Sequence, residues 1–230
     1  LSVIPDKNVF IASPNGYPDK DYKALAERLR NGFPEAKYID ISGLLSADDF
    51  YYTDSHWRQE RILKVADEIA DKMGAERIGQ CEKHDAGVSF YGVYYGQAAL
   101  PHAPERFFYL DNAVIRGLKV YNVETSSDIP VYDLSAAAGR DPYEMFLGGA
   151  RSIITLTNPN AAKERRLIIF RDSFGSSIAP LLTAGYSEIT LVDIRYISPS
   201  ALGRLIGFTK LDDVLFLYSA SVINNSETIK

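Results

Sequence analysis

Two short segments of this 230-residue sequence carry side chains from which covalent chemistry could be built. The first is Thr53-Asp54-Ser55-His56-Trp57. A carboxylate two residues before a histidine, in an irregular stretch ahead of a helix, can hold the imidazole in one tautomer and stabilise the imidazolium after proton uptake. The same residues admit a plainer reading, in which Thr53, Asp54 or Ser55 caps the following helix and His56 only packs or faces water. The second segment is Arg171-Asp172-Ser173-Phe174-Gly175. Before it, the apolar run Leu167-Ile168-Ile169-Phe170 predicts a strand covered on both faces; after it, Ile178, Leu181 and Leu182 predict a helix. A serine at such a turn stands above the sheet much as at a nucleophile elbow, and the amides that follow, Phe174 included, could stabilise an oxyanion. Here too the alternative is a helix cap, by Asp172 or Ser173. Together the segments supply three roles: Asp54 to orient, His56 to take a proton, Ser173 to attack. Triads are defined by geometry, so the chain order is no obstacle.

Other material for chemistry is scarce. The histidines are His56, His84 and His102, and Cys81 is the single cysteine, so neither a disulfide nor a cysteine-based metal framework is available. His84 and His102 sit in polar or proline-flanked stretches and receive no role. Arg195, beyond the strand Ile189–Val192, could hold an acyl or sugar oxygen, or could be an ion-pair partner of Asp172 or Asp193. The stretch Phe90-Tyr91-Gly92-Val93-Tyr94-Tyr95-Gly96-Gln97 could offer aromatic faces to a sugar, with Gly92 or Gln97 donating to an oxyanion. It could equally be the core of a β-hairpin.

The elements that must position these residues begin with a strand at Asn8–Ala12, closed by the turn Ser13-Pro14-Asn15-Gly16. Tyr22, Leu25, Leu29 and Phe33 predict a helix stopped at Pro34, and Tyr38–Ile41 reads as a second strand. Ile62, Val65, Ala66, Ile69 and Met73 share one face of a helix that Gly74 ends. From about residue 79 to 160 the pattern turns β-rich, with strands expected at Phe107–Leu110, Val114–Tyr121 and Val131–Leu134. Strand–helix alternation returns near Arg166, with strands at Leu167–Phe170, Ile189–Val192 and Val214–Tyr218, and helices between them at Ser176–Ala184 and Pro199–Ile206. The expected fold is a three-layer α/β sandwich of flavodoxin-like type. Its sheet should be mainly parallel, within a single domain over residues 1–230 that carries a β-rich insertion. A flavodoxin-like binder would need a phosphate-cradling loop after Val9–Ala12, and Ser13–Gly16 is a poor version of one.

Composition narrows the classes. Twenty-five basic against 30 acidic residues give a net charge of −5 without a compensating basic cluster, which argues against nucleic acid as a partner. No apolar run approaches the roughly 18 residues of a membrane span. The length suffices to bury a core without a metal or disulfide staple. Beginning at Leu1, the chain reads as a trimmed or mature form, so that any signal peptide or anchor would lie outside it.

Thr53-Asp54-Ser55-His56-Trp57, the helix after it, Arg171-Asp172-Ser173-Phe174-Gly175 and Val192-Asp193-Ile194-Arg195-Tyr196 together resemble the bacterial DHHW protein family. That family is similar to the SGNH-hydrolase-like domains of alginate O-acetylation proteins. The resemblance extends from Phe10 to about Asn225 and includes Phe90-Tyr91-Gly92 and Phe146-Leu147-Gly148-Gly149. It implies a triad of Asp54, His56 and Ser173 in a serine-dependent O-acyl esterase or O-acetyltransferase. The implied substrate is a cell-surface or exported carbohydrate with an acyl donor, the location is extracytoplasmic, and no metal or other cofactor is needed. Ser55 departs from the Asp-His-His-Trp pattern: it leaves the triad intact but removes a vicinal histidine pair that a metal could use. The alternative is a non-catalytic SGNH-like carbohydrate-binding or assembly module.

Overall fold

The structure is a computed structural model that describes residues 1–99, 101–209 and 211–225. In chain order the elements are β1 (Ser2–Ile4), α1 (Asn8–Ile11), α2 (Tyr22–Gly32), α3 (Leu63–Met73), β2 (Glu82–Phe90), α4 (Val93–Ala98), β3 (Glu105–Asp111), α5 (Ala113–Arg116), β4 (Lys119–Asn122) and β5 (Ser127–Ile129). They continue with α6 (Leu134–Ala137), β6 (Ile153–Thr157), β7 (Arg166–Arg171), α7 (Phe174–Ile178), β8 (Glu188–Val192), α8 (Pro199–Leu205), β9 (Asp213–Ser219) and α9 (Ala220–Asn224). A seven-stranded sheet runs in the order β1-β9-β7-β8-β6-β4-β5, and β2 and β3 form a separate antiparallel pair. Strands β1, β9, β7 and β8 are mutually parallel, while β6 runs against β8 and β4 against β6.

The amphipathic patterns explain the layers. In α3, Val65, Ala66, Ile69 and Ala70 form a buried stripe, and Gly74 ends the helix in the left-handed conformation at φ 65°. That stripe and the helical run after Ser173 cover one face of the sheet, packing with Ile169, Leu191, Leu215 and Leu217. On the other face Leu202 and Ile206 meet Ile153, Ile168 and Val192, and Tyr22 and Ala220 meet Val3. The result is a three-layer α/β sandwich with a mostly parallel sheet and an added β segment, as the sequence pattern predicts.

Several local expectations are corrected. Asn8–Ala12 is not a strand: residues 8–11 are helical and Ser13–Asn15 form a 3-10 turn. The edge strand is instead Ser2–Ile4. Tyr38–Ile41 is extended beside β1, with the Ile39 amide on the Leu1 carbonyl (2.8 Å) and Ser2 Oγ on the Ile39 carbonyl (2.9 Å), but it does not continue as a ladder. Val114–Tyr121 divides into α5 and β4, and Tyr132 makes only an isolated bridge to Phe146. The β-rich stretch lies only partly outside the sandwich, because β4, β5 and β6 extend the central sheet and only β2 and β3 stand apart.

One consequence of the topology positions the site. Asp6 and Lys7 follow β1, Asp172 and Ser173 follow β7, Arg195 follows β8, and Ser219, Ser221 and Val222 end or follow β9. All of them line a single cleft of about 600 Å³ at the carboxyl ends of the four parallel strands. Open α/β sheets bind ligands at this edge.

Candidate active site

Every residue from Arg171 to Thr183 is buried except Ser173. The strand delivers its last buried residues and the helix turns inward at once, so one hydroxyl is left facing the cleft. Ser173 Oγ lies 2.7 Å from His56 Nε2, and His56 Nδ1 lies 2.6 Å from Asp54 Oδ1. An ionised carboxylate can only accept, so a neutral His56 carries its proton on Nδ1 and presents a bare Nε2 to the serine hydroxyl, which donates to it. The Asp54 and His56 side chains are 4% and 13% exposed, dry enough to fix this geometry while leaving the imidazole edge open to the cleft.

The capping alternative is realised in an unforeseen place. No side chain of residues 53–55 caps the helix that follows. Thr53 and Asp54 instead cap α4, forty residues on. The Gly92 amide donates to Thr53 Oγ1 (3.0 Å), the Val93 amide to Asp54 Oδ2 (2.9 Å), and the Tyr94 amide to the Thr53 carbonyl (2.9 Å). Each Asp54 oxygen therefore has its own task, one for His56 and one for α4. From the far side, Glu105 accepts from the Tyr52 amide (2.7 Å) and from the Thr53 amide and hydroxyl (2.8 and 2.7 Å). The Lys7 ammonium donates to the carbonyls of Tyr51 and Tyr52. Burial pulls the Lys7 ammonium down, opposed by the charges of Glu105 and Asp54.

This close approach requires glycine at position 92. A Cβ there would lie 2.3 Å from the Asp54 Cβ and 2.4 Å from the Thr53 carbonyl oxygen. Neither neighbour can yield without breaking the cap, so Gly92→Ala is expected to lower stability by about 1–3 kcal/mol in urea unfolding. An unchanged midpoint would show that α4 can lift away freely.

The imidazole is also held by its faces. It stacks on Tyr143 with ring centroids 3.8 Å apart and planes inclined by 13°, and the Phe174 ring lies 4.9 Å away. Behind them the buried Ser177 hydroxyl accepts from Trp57 Nε1 and from the Tyr143 hydroxyl, both at 2.8 Å, and donates to the Phe174 carbonyl at 3.2 Å. Burial raises the Tyr143 hydroxyl far above its ordinary range, so it remains a neutral donor.

Burial alone would lift the Asp54 carboxyl. Hydrogen bonds and charge from His56, together with the Val93 amide, outweigh this and bring it below its ordinary 3.8. A carboxyl with a depressed folded-state pKa stabilises the fold above its unfolded pKa, and that stability is lost as pH falls through the folded value. Asp54→Asn should therefore flatten the part of the acid-induced stability loss that sets in below about pH 4. Urea midpoints measured across that range test this; parallel slopes for parent and variant would contradict it.

The remaining sequence candidates separate. The Phe174 amide donates to Asp172 Oδ1 (3.1 Å), so it is already engaged, and Phe174 contributes its ring instead. The Gly92 amide is likewise taken by Thr53, which makes Gly92 a positioning residue rather than an oxyanion donor. Gln97 is exposed on α4 and does not line the cleft. The Ser173 amide is the N–H beside the hydroxyl that donates to no group among the described residues. Arg195 forms the ion pair considered for it, a two-pronged contact with buried Asp193 (2.9 and 2.6 Å), and also lines the cleft. Asp172 performs the helix-capping role considered for it, and its Oδ2 accepts from the Ser219 amide (2.7 Å), which ties β9 to the Ser173 turn. Lys7, Glu105, Val93, Tyr143 and Ser177 were not singled out from the sequence. Among the described residues there is no group of three or more His, Cys, Asp or Glu side chains that could hold a metal ion. No described helix is long and apolar enough to cross a membrane.

No family model and no curated protein matches the chain. Solved structures do. A DHHW family protein from Eubacterium siraeum is 19% identical with a TM-score of 0.66, covering 99% of this chain and 80% of its own. PatB1 of Bacillus cereus, in a structure carrying a sulfonyl adduct, is 18% identical with a TM-score of 0.70, covering 96% of this chain and 81% of its own. The O-acetyltransferase domain of Pseudomonas putida AlgJ is 10% identical with a TM-score of 0.52, covering 96% of this chain and 74% of its own. At these identities the likeness is one of fold, and it agrees with the resemblance drawn from the two motifs. The chain thus shares its α/β fold with a DHHW family protein, with PatB1 and with the AlgJ O-acetyltransferase domain.

Proposed function

We propose that this chain is a serine-dependent O-acyl transferase or esterase acting on a carbohydrate outside the cytoplasm, with residues 1–230 working as one domain. The observation that carries the reading is the unbroken hydrogen-bonded series Asp54–His56–Ser173, which ends at the one hydroxyl of its segment that meets the cleft. In the first half-reaction, Ser173 Oγ bonds to the acyl carbonyl carbon as His56 Nε2 takes the hydroxyl proton, while Asp54 holds the imidazolium that results. The carbonyl oxygen becomes an oxyanion, with the Ser173 amide as a donor beside it. The leaving alkoxide then departs with the proton from His56, giving an acyl-serine. In the second half-reaction a sugar hydroxyl or water gives its proton to His56 and attacks the acyl-serine, and Ser173 recovers its hydrogen. Transfer and hydrolysis differ only in that second nucleophile. The AlgJ domain is an O-acetyltransferase and the PatB1 structure carries a sulfonyl adduct, both of which support acyl-transfer chemistry on this fold.

Labelling with phenylmethylsulfonyl fluoride tests the nucleophile directly, since Ser173 Oγ would bond to sulfur and release fluoride. Peptide mass mapping should find the adduct on Ser173, and His56→Ala should abolish it. Labelling elsewhere, or labelling indifferent to His56, would turn the reading toward a module that binds carbohydrate without reacting.

A further inference from the structure

Beside the cleft that holds Ser173 opens a second cavity of about 840 Å³, and Lys7, Asn8 and Tyr94 wall both of them. Its surface is unusual in exposing large rings, with Tyr17 69% and Tyr52 71% exposed. Tyr52 is not a loose side chain. Its amide is fixed by Glu105 at 2.7 Å, and one face of its ring is stacked on His102 at 4.5 Å and 19°. A rigid ring presented to solvent costs little ordering on binding and favours flat apolar faces.

The charges around these rings are largely spent. The Lys7 ammonium is held by main-chain carbonyls and lies 5.1 Å over the Tyr94 ring. Arg58 Nε is paired with Glu60 at 3.0 Å, and Glu105 is saturated by Tyr52 and Thr53. Exposed Arg61 and Asp48 carry opposite signs on the same rim. A polyanion would meet no concentration of free positive charge, and an acyl chain would meet a polar rim. A pyranose ring fits both features, with C–H faces for the tyrosines and a hydroxyl for Asn15 Oδ1, while the Asn8 amide is engaged by the Lys20 amide and the Pro18 carbonyl. The volume falls in the range that holds a ligand of several rings.

We propose that this cavity is an acceptor subsite for a neutral pyranose oligosaccharide, gripping neighbouring sugars of the chain whose reacting unit lies at Ser173. The proposal rests on the acyl-transfer reading for its purpose, but its binding is separable from turnover. The test is calorimetric titration of the Ser173→Ala protein with cellotetraose, chitotetraose and tetragalacturonate, each against its monosaccharide. A neutral tetrasaccharide should bind at least about tenfold more tightly than its monomer, as stacking on one or two rings would give. Tyr52→Ala in the same background should remove most of that gain and Tyr17→Ala part of it. Tyr121→Ala, an exposed ring on β4 outside the cavity, should change nothing. The proposal is overturned if no neutral tetramer outbinds its monomer, if tetragalacturonate binds tightest, or if Tyr52→Ala leaves the chain-length gain intact. p-Nitrophenyl acetate turnover by the parent separates the two readings. Oligosaccharide binding without turnover leaves the subsite standing and removes the transferase, and turnover without binding does the reverse.

Discussion

Ser173→Ala is expected to lower kcat/KM for p-nitrophenyl acetate by at least about a thousand-fold, to the level the remaining groups sustain without a nucleophile. No acetyl adduct should form on the intact protein. The substitution removes one half-buried oxygen, bonded to His56 Nε2, from a turn otherwise held by main-chain and Asp172 contacts, with the Phe174 and Ser219 amides both on the Asp172 carboxylate. Stability should therefore stay within about 1.5 kcal/mol of the parent, the scale of one hydrogen bond. That separation matters, because activity lost together with the fold would say nothing about the serine. Parent and variant turning over ester equally would assign the signal to background and remove Ser173 from the chemistry.

Asp54→Asn is expected to cost about ten-thousand-fold in kcat, the scale seen when a buried acid partner of a catalytic histidine becomes an amide. The reason lies in the donor count. In the parent, Asp54 Oδ1 faces His56 Nδ1 at 2.6 Å, and Oδ2 faces the Val93 amide at 2.9 Å. The His56 amide also donates to Oδ1 at 2.9 Å, so a carboxamide has one accepting oxygen for three donors. With its oxygen toward His56, its NH₂ opposes the Val93 amide, and the α4 cap is lost. With its NH₂ toward His56, Nδ1 must accept, the proton moves to Nε2, and the Ser173 hydroxyl has no base. Either arrangement also leaves a buried donor unmet, at about 1–3 kcal/mol of stability. Because the three residues act as one unit, the Ser173→Ala/Asp54→Asn double variant should be no slower than Ser173→Ala alone. An Asp54→Asn protein within tenfold of the parent would mean that His56 keeps its tautomer without Asp54.

The two motifs were legible because each packs its chemistry into five residues, and because the strand and helix around Ser173 have the apolar run and spacing that such elements require. The parallel core was legible for the same reason. What stayed hidden depends on contacts between distant residues. Asn8–Ala12 is an apolar run too short for periodicity to separate helix from strand, and the true edge strand, Ser2–Ile4, is only three residues long. Tyr38–Ile41 alternates buried and exposed residues as a strand would, but its neighbour β1 offers it only a few bonds. Glu105, Val93 and Tyr143 reach the site from 52, 39 and 87 residues beyond Thr53, Asp54 and His56, respectively. No local pattern marks them. Gly92 and the Phe174 amide were noticed for the wrong task, because sequence shows that an amide exists but not which oxygen already holds it.

The pairing of β1 with β9 has a bearing on how the molecule is made. Ser2 to Ile4 take their ladder partners from Leu217 to Ser219, and the Ser221 amide closes back onto Asp6 Oδ1 at 3.2 Å. Asp6 and Ser221 lie 215 residues apart in the chain, so during synthesis β1 has no ladder partner until β9 has emerged. The Ser219 amide that steadies Asp172 beside Ser173 arrives with β9. A chain that ends before β9 lacks the wall of the cleft that Ser219, Ser221 and Val222 form.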